Sequence, residues 1–225
     1  VRSESKGRPD RKELLEYLDS SVGSLVPSFV HNLNNRLLGA TGNLDLAEMY
    51  SGSAEKVSEK IIRARQAVAE VCRFVSDLNR FRSAPGPCTS GTLEDVVGFA
   101  SLACGRSMSL DSTEVSVFPD NLPLTDLEFR TLLAGMMSWA VTSCEGAGSI
   151  SLKSNAVEGS VVFTVSRIRV ESASAADADY VREPSSWMIG LAGRLGCSLM
   201  VDITDDLHGY VSLEIPSPGN SSLTS

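Results

Sequence analysis

The sequence predicts an α+β protein, a long antiparallel helical hairpin followed by an α/β sandwich. Two observations carry the hairpin and its separation from the rest. Apolar residues recur at steps of three and four through 11–50 and again through 54–82, marking one face of a helix in each stretch. A Pro/Gly/Ser-rich segment, Ser83-Ala-Pro-Gly-Pro-Cys-Thr-Ser-Gly91, then divides the chain into 11–82 and 91–216. A third observation carries the sandwich: beyond that segment, short runs of strand character alternate with helical patterns.

The elements follow in order. Residues 1–10 are polar and expected to be disordered. The first helix runs from Arg11 to Tyr50, with the stripe Leu18, Val22, Leu25, Phe29, Leu33, Leu37, Ala40, Leu44 and Ala47. Pro27 removes one backbone hydrogen bond and is expected to bend this helix about one turn before His31. Ser51-Gly52 makes a turn, and Ser53 is an N-cap candidate for a second helix from Ala54 to Arg82. Its stripe, Val57, Ile61, Ala64, Val68, Val71, Val75 and Leu78, has heptad spacing. Each helix also carries a second apolar flank: Leu14, Val26, Val30 and Leu46 on the first, Ile62, Cys72, Phe74 and Phe81 on the second. Two helices cannot cover both flanks. A four-helix bundle formed by a homodimer is the simplest arrangement that does.

In the second half, helices are expected at Leu93–Gly105, Thr125–Cys144 and Pro184–Leu195. Strands are expected at Glu114–Phe118, Ser149–Lys153, Val161–Ile168, Ser198–Ile203 and Tyr210–Ile215, with a loop over 171–181. The order α-β-α-β-β-α-β-β suits an antiparallel or mixed sheet covered by helices on one face. The tail from Pro216 is polar and expected to fray.

Composition narrows the function classes. With 225 residues, 42% hydrophobic and 21% charged, the chain can bury a sizeable core. A net charge of −8 without a basic cluster argues against nucleic acid or an anionic membrane as partner. No apolar run approaches the roughly 18 residues needed to cross a bilayer, and the first ten residues lack the apolar core of a signal peptide. The five cysteines (Cys72, Cys88, Cys104, Cys144, Cys197) are odd in number and form no C-x-x-C pair, and they read as reduced, cytoplasmic core thiols. With only His31 and His208 as imidazoles, no metal site is expected. Asp202, Asp205, Asp206 and His208 read as a solvated turn.

His31 stands apart. At about 100° per residue it falls about 160° from both Phe29 and Leu33, away from the stripe. A packing histidine belongs on the stripe; one meant to meet a partner belongs where His31 is. Asn35, at i+4, shares its face, Asn34 is adjacent, and Arg36 can reach a phosphate or an acidic partner. Ser24, Ser28 and Leu38 on the same face would let a partner helix approach closely.

The segment His31-Asn-Leu-Asn-Asn-Arg-Leu-Leu-Gly-Ala-Thr-Gly-Asn-Leu-Asp-Leu46 resembles the phospho-acceptor segment of sensor histidine kinases. In that family the histidine lies on the first helix of a dimeric four-helix bundle, and an ATP-binding sandwich follows, an order that this chain matches from 11 to 216. The departures are equally specific. The acid that follows the family's histidine, its general base, is Asn32 here, and an amide is a poor proton acceptor. Along Leu132–Ser143 the slots aligned with the family's magnesium-binding asparagines hold Gly135 and Trp139. The Asp-x-Gly-x-Gly segment is replaced by Val170-Glu-Ser-Ala-Ser-Ala-Ala-Asp-Ala-Asp, and the glycine-rich phosphate lid is missing.

An acceptor histidine on such a scaffold without nucleotide motifs resembles the dimeric histidine phosphotransferases of bacterial phosphorelays. The resemblance implies that His31 carries a phosphoryl group between aspartates of response-regulator receiver domains. It implies that this chain binds no cofactor and that Mg2+ sits on the partner receiver. Imidazole suits the role, since it keeps a neutral, nucleophilic fraction at cellular pH. A divergent kinase with residual ATP binding and a non-catalytic dimeric adaptor are the alternatives.

Overall fold

The computed structural model describes residues 7–83, 86–103, 108–115, 118, 122–144, 148–157, 159–169, 185–204 and 208–217. The expected loop over 171–181, the segment aligned with the nucleotide-binding glycines, Cys104, Asp205 and Asp206 lie outside these residues. Helix α1 (Arg11–Met49) starts where the Asp10 side chain accepts a hydrogen bond from the Glu13 N–H at 2.8 Å. Pro27 lies within it, on the exposed side, and the helix continues through it. A tight turn over 50–53 reverses the chain into α2 (Ala54–Ser83), giving the expected hairpin.

The phase of the α2 seam differs from the expected one. The residues that face inward are Val57, Ala64, Ala67, Val71, Phe74, Leu78 and Phe81, whereas Ile61, Val68 and Val75 are exposed. The sequence offers two seams that share Val57, Ala64, Val71 and Leu78. The flank bearing Phe74 and Phe81 is turned inward because those rings meet Phe29 of α1 and Phe99 of the next helix. Phe29 lies edge-on to Phe74 (5.4 Å between centroids) and to Phe99 (5.2 Å), and Phe81 stacks on Phe99 at 4.2 Å. On α1 the stripe is inward through Leu33 and again at Ala40 and Ala47, while Leu37 and Leu44 are exposed. Cys72, expected in the core, is exposed on the outer side of α2.

After Pro87 come α3 (Ser90–Ala103), β1 (Met108–Val115), α4 (Asp126–Ser143), β2 (Gly148–Val157), β3 (Ser160–Arg169), α5 (Ser186–Arg194), β4 (Ser198–Asp202) and β5 (His208–Pro216). The element order is the expected one, with two corrections. The first strand lies earlier than Glu114–Phe118, where apolar alternation ends after Leu110 at a bulge. His208 belongs to a strand rather than a turn, although it is exposed.

The sheet order is β1-β2-β3-β5-β4, with β1 and β2 parallel and the other pairs antiparallel. The β2–β3 hairpin turns at Gly159 (φ 78°), a conformation that favours glycine. Alternation in the strands puts Ile150, Leu152, Val161, Phe163, Val165, Val211, Leu213 and Ile215 on one buried face, beneath the helices. Helix α4 is nearly all buried and opens with a capping box between Thr125 and Glu128. Helix α5 ends in a Schellman motif: Gly196 (φ 72°) follows it, and the Cys197 N–H donates to the Ala192 carbonyl at 2.9 Å.

One buried cluster runs without a break from Leu14, Leu18, Leu25 and Phe29 of α1 through α3 and α4 to the sheet. The hairpin and the sandwich therefore share a core in this structure. Polar pairs reinforce the junction. Arg8, just before α1, holds the buried Glu128 carboxylate with two bonds of 2.6 Å. Arg194 pairs with Glu13, and the Tyr17 ring stacks on Trp187 at 4.8 Å.

Candidate functional site

The aromatic cluster under α1 sets the rotation of that helix. With Phe29 buried against Phe74 and Phe99, and Leu33 half-buried one turn on, the intervening His31 is turned outward and is exposed. The structure thus places His31 on the face that helical periodicity indicated.

Asn35 is the side chain that meets it: its Nδ2 lies 3.1 Å from His31 Nε2. With the amide nitrogen as donor, Nε2 is the acceptor and holds the lone pair of the ring. Asn34 is exposed on the adjacent side. Arg36 turns across the hairpin to an ion pair with Glu70 of α2, so in this structure it braces the two helices and lies apart from the His31–Asn35 pair. Asn32 is half-buried.

Ser24 is exposed, as expected, and its hydroxyl also hydrogen-bonds Ser138 of α4. The close approach at this end of the face is thus made by the chain's own fourth helix. Leu38, farther along, is 68% exposed. The histidine therefore sits on α1 between the Ser24 contact with α4 and a stretch that is open. Sequence reasoning missed this docking, because its contacts join residues more than a hundred positions apart and leave no periodic signal.

The slots of α4 singled out by alignment are both filled or covered. A Cβ at Gly135 would lie 2.5 Å from Met188 Sδ and 2.8 Å from Trp187 Cη2, so α5 packs directly on that glycine. Trp139 is buried, with the Arg167 guanidinium 5.4 Å from its ring centroid. Arg167 is itself inward-facing on β3 and 2% exposed. Among the described residues, no group of three or more His, Cys, Asp or Glu is placed to hold a metal ion. Among them, too, no helix is long and apolar enough to cross a membrane.

No protein-family model matches the sequence, and no curated protein matches it significantly. Solved structures of similar arrangement include the histidine kinase AdeS of Acinetobacter baumannii, at 10% identity, 83% of this chain, 97% of that one and a TM-score of 0.45. A bacterial phosphotransferase is similar at 14% identity, 86% of this chain, 95% of that one and a TM-score of 0.49. A histidine kinase of Burkholderia phymatum STM815 is similar at 12% identity, 88% of this chain, 98% of that one and a TM-score of 0.46. These three structures of similar arrangement are two histidine kinases and a phosphotransferase.

Proposed function

We propose that this chain is a cytoplasmic histidine phosphotransferase of a two-component phosphorelay, in which His31 takes a phosphoryl group from the aspartate of one receiver domain and passes it to another. The observation that carries the reading is the outward-facing, exposed His31, whose Nε2 lies 3.1 Å from Asn35 Nδ2. In the forward step Asn35 releases Nε2, whose lone pair forms the N–P bond while the P–O bond of the aspartyl phosphate breaks. The carboxylate leaves, and the Nδ1 proton of the ring is released or retained as the partner surroundings dictate. The reverse displacement by a second aspartate regenerates the neutral imidazole. Such a transfer needs in-line positioning and charge stabilisation more than covalent chemistry from the protein. The receiver supplies Mg2+, and this chain supplies the nucleophile and its orientation. Asn34 borders the docking surface, and Arg36, braced by Glu70, lies at its margin.

ATP is not the phosphoryl donor in this reading. Its support is the α4 surface, where Trp187 and Met188 occupy the space beside Gly135 and Trp139 is buried.

The working form is a homodimer. Val30, Leu37 and Leu44 on α1 are exposed at intervals of seven, and so are Ile61, Val68 and Val75 on α2. Two heptad-spaced apolar rows on adjacent helices are what a four-helix bundle with a second copy would bury. The experiment that tests the function is incubation with phosphorylated receiver domains and detection of acid-labile phosphate on the wild type but not on His31→Ala.

A further inference from the structure

The Pro/Gly/Ser-rich segment 83–91 separates the hairpin from the sandwich in sequence. Two domains joined in that way move relative to each other unless their interface is large and apolar. Here the interface is apolar along its length and pinned at both ends. Leu14, Leu18, Leu25 and Phe29 of α1 are buried in the cluster that continues through α3 and α4 to the sheet. Helix α4 lies along α1 in the same direction: Glu128 meets Arg8, Thr131 Oγ1 lies 3.5 Å from the Leu14 carbonyl oxygen, and Ser138 hydrogen-bonds Ser24.

Before α1, residues 7–10 strap the hairpin to the sandwich. Arg8 holds Glu128 and also donates to the Pro123 carbonyl at 3.1 Å, Pro9 is buried, and the Gly7 carbonyl accepts from Arg194 of α5 at 3.0 Å. At the other end, Phe99 of α3 lies edge-on to Phe29 and stacks on Phe81 of α2. The Arg130 guanidinium of α4 lies 5.5 Å from the centroid of the same Phe81 ring. Both helices of the hairpin are thus gripped, and Phe29 stands two residues from His31. Lifting the sandwich away would return the buried side chains of α1 to water. It would also uncover Phe29, whose packing sets the rotation of α1 at His31. We propose that the sandwich is a permanent clamp on α1, one that stays fastened while His31 takes up and gives away its phosphoryl group. The role in transfer rests on the phosphotransfer reading, whereas the fastening itself does not.

The test uses the full chain carrying Ser24→Cys and Ser138→Cys, with Cys72→Ser so that the exposed thiol forms no bridge between copies. The two hydroxyls touch, which puts the two Cβ atoms within reach of a disulfide. Oxidised glutathione is expected to close the bridge, as mass spectrometry of the folded protein would show. Transfer from a phosphorylated receiver to the bridged form is expected to run within about twofold of the same protein after reduction, since no opening step gates it. A bridge that does not close in the folded variant, or transfer lost on oxidation and recovered on reduction, would overturn the proposal. A second measurement needs no cysteine. Urea unfolding of the wild type is followed by tryptophan fluorescence, which reports the sandwich because Trp139 and Trp187 are the chain's two tryptophans, and by helical ellipticity, to which α1 and α2 contribute most. The two probes are expected to share one midpoint, and Arg8→Ala is expected to move both by the same amount. Separate midpoints, or an Arg8→Ala shift in one probe alone, would overturn the fastening. A wild type that carries no phosphate would remove the role in transfer together with the phosphotransfer reading, and the midpoints would still decide the fastening.

Discussion

Alanine at two glycines should change stability in opposite directions, and the pair reads how α5 sits on α4. Both Gly23 and Gly135 are inside helices, where Gly→Ala gains about 1 kcal/mol of helix propensity. At Gly23 nothing lies within 4 Å of an added Cβ, so that gain should be realised almost in full. At Gly135 the added carbon meets Met188 Sδ at 2.5 Å and Trp187 Cη2 at 2.8 Å. Met188 is 1% exposed, and the Trp187 ring is stacked on Tyr17. Neither can withdraw without repacking, and overpacking of this kind costs about 1–3 kcal/mol. Gly23→Ala is therefore expected to be more stable than wild type by up to about 1 kcal/mol, and Gly135→Ala to be unchanged or less stable by up to about 2 kcal/mol. In a chain of this length each kcal/mol is worth about 2–4 °C in Tm. Urea unfolding measures the difference. Equal stabilisation by the two substitutions would refute the packing of α5 over Gly135, and with it the physical reason for excluding ATP as donor.

Three further outcomes follow from named contacts. Burial alone would raise the Glu128 pKa, but bonds from Arg8 and Thr125 outweigh it and hold the carboxyl below its ordinary range. A depressed folded pKa contributes stability that is present above the unfolded carboxylate value and is lost as pH falls through the folded one. Arg8→Ala should therefore destabilise by about 1–2 kcal/mol at neutral pH, Arg8 being more than half exposed, and the gap to wild type should close in acid; a gap independent of pH would contradict this. Burial pushes the Cys88 and Cys197 thiols up to about 12, whereas Cys72 is exposed. Iodoacetamide at mildly alkaline pH should thus label Cys72 first, as mass spectrometry of the native protein would show, and first labelling of Cys88 or Cys197 would contradict the burial. Finally, Val68→Lys in the exposed α2 row should convert a dimer to a folded monomer in sedimentation velocity; a monomeric wild type, or a variant that stays dimeric, would contradict the bundle.

Much of this was legible in sequence, and the misses have physical causes. The long helices, the order of the elements and the outward position of His31 all follow from periodicity, which is a local signal. The α2 seam was read one position out of phase at every second step because Ile61, Val68 and Val75 are as apolar as the residues that are buried. Only the meeting of Phe74 and Phe81 with Phe29 and Phe99 decides between the two flanks. The same uncertainty put Cys72 inside. Strand β1 is misplaced because its alternation is too short, ending after Leu110 at a bulge; it is held by parallel pairing with β2. The docking of α1 on α4 and α5 rests on Arg8–Glu128, Glu13–Arg194, Tyr17–Trp187 and Ser24–Ser138. No periodicity encodes pairs so distant.

The central claim is that His31 carries phosphate between receiver domains. Its most direct test is transfer of radiolabel from a phosphorylated receiver to this chain and on to a second receiver, with wild type and His31→Ala side by side. The account predicts acid-labile label on wild type, none on His31→Ala, and no labelling of either from ATP alone. Undiminished receiver-to-receiver transfer with His31→Ala, or autophosphorylation of wild type from ATP, would contradict it.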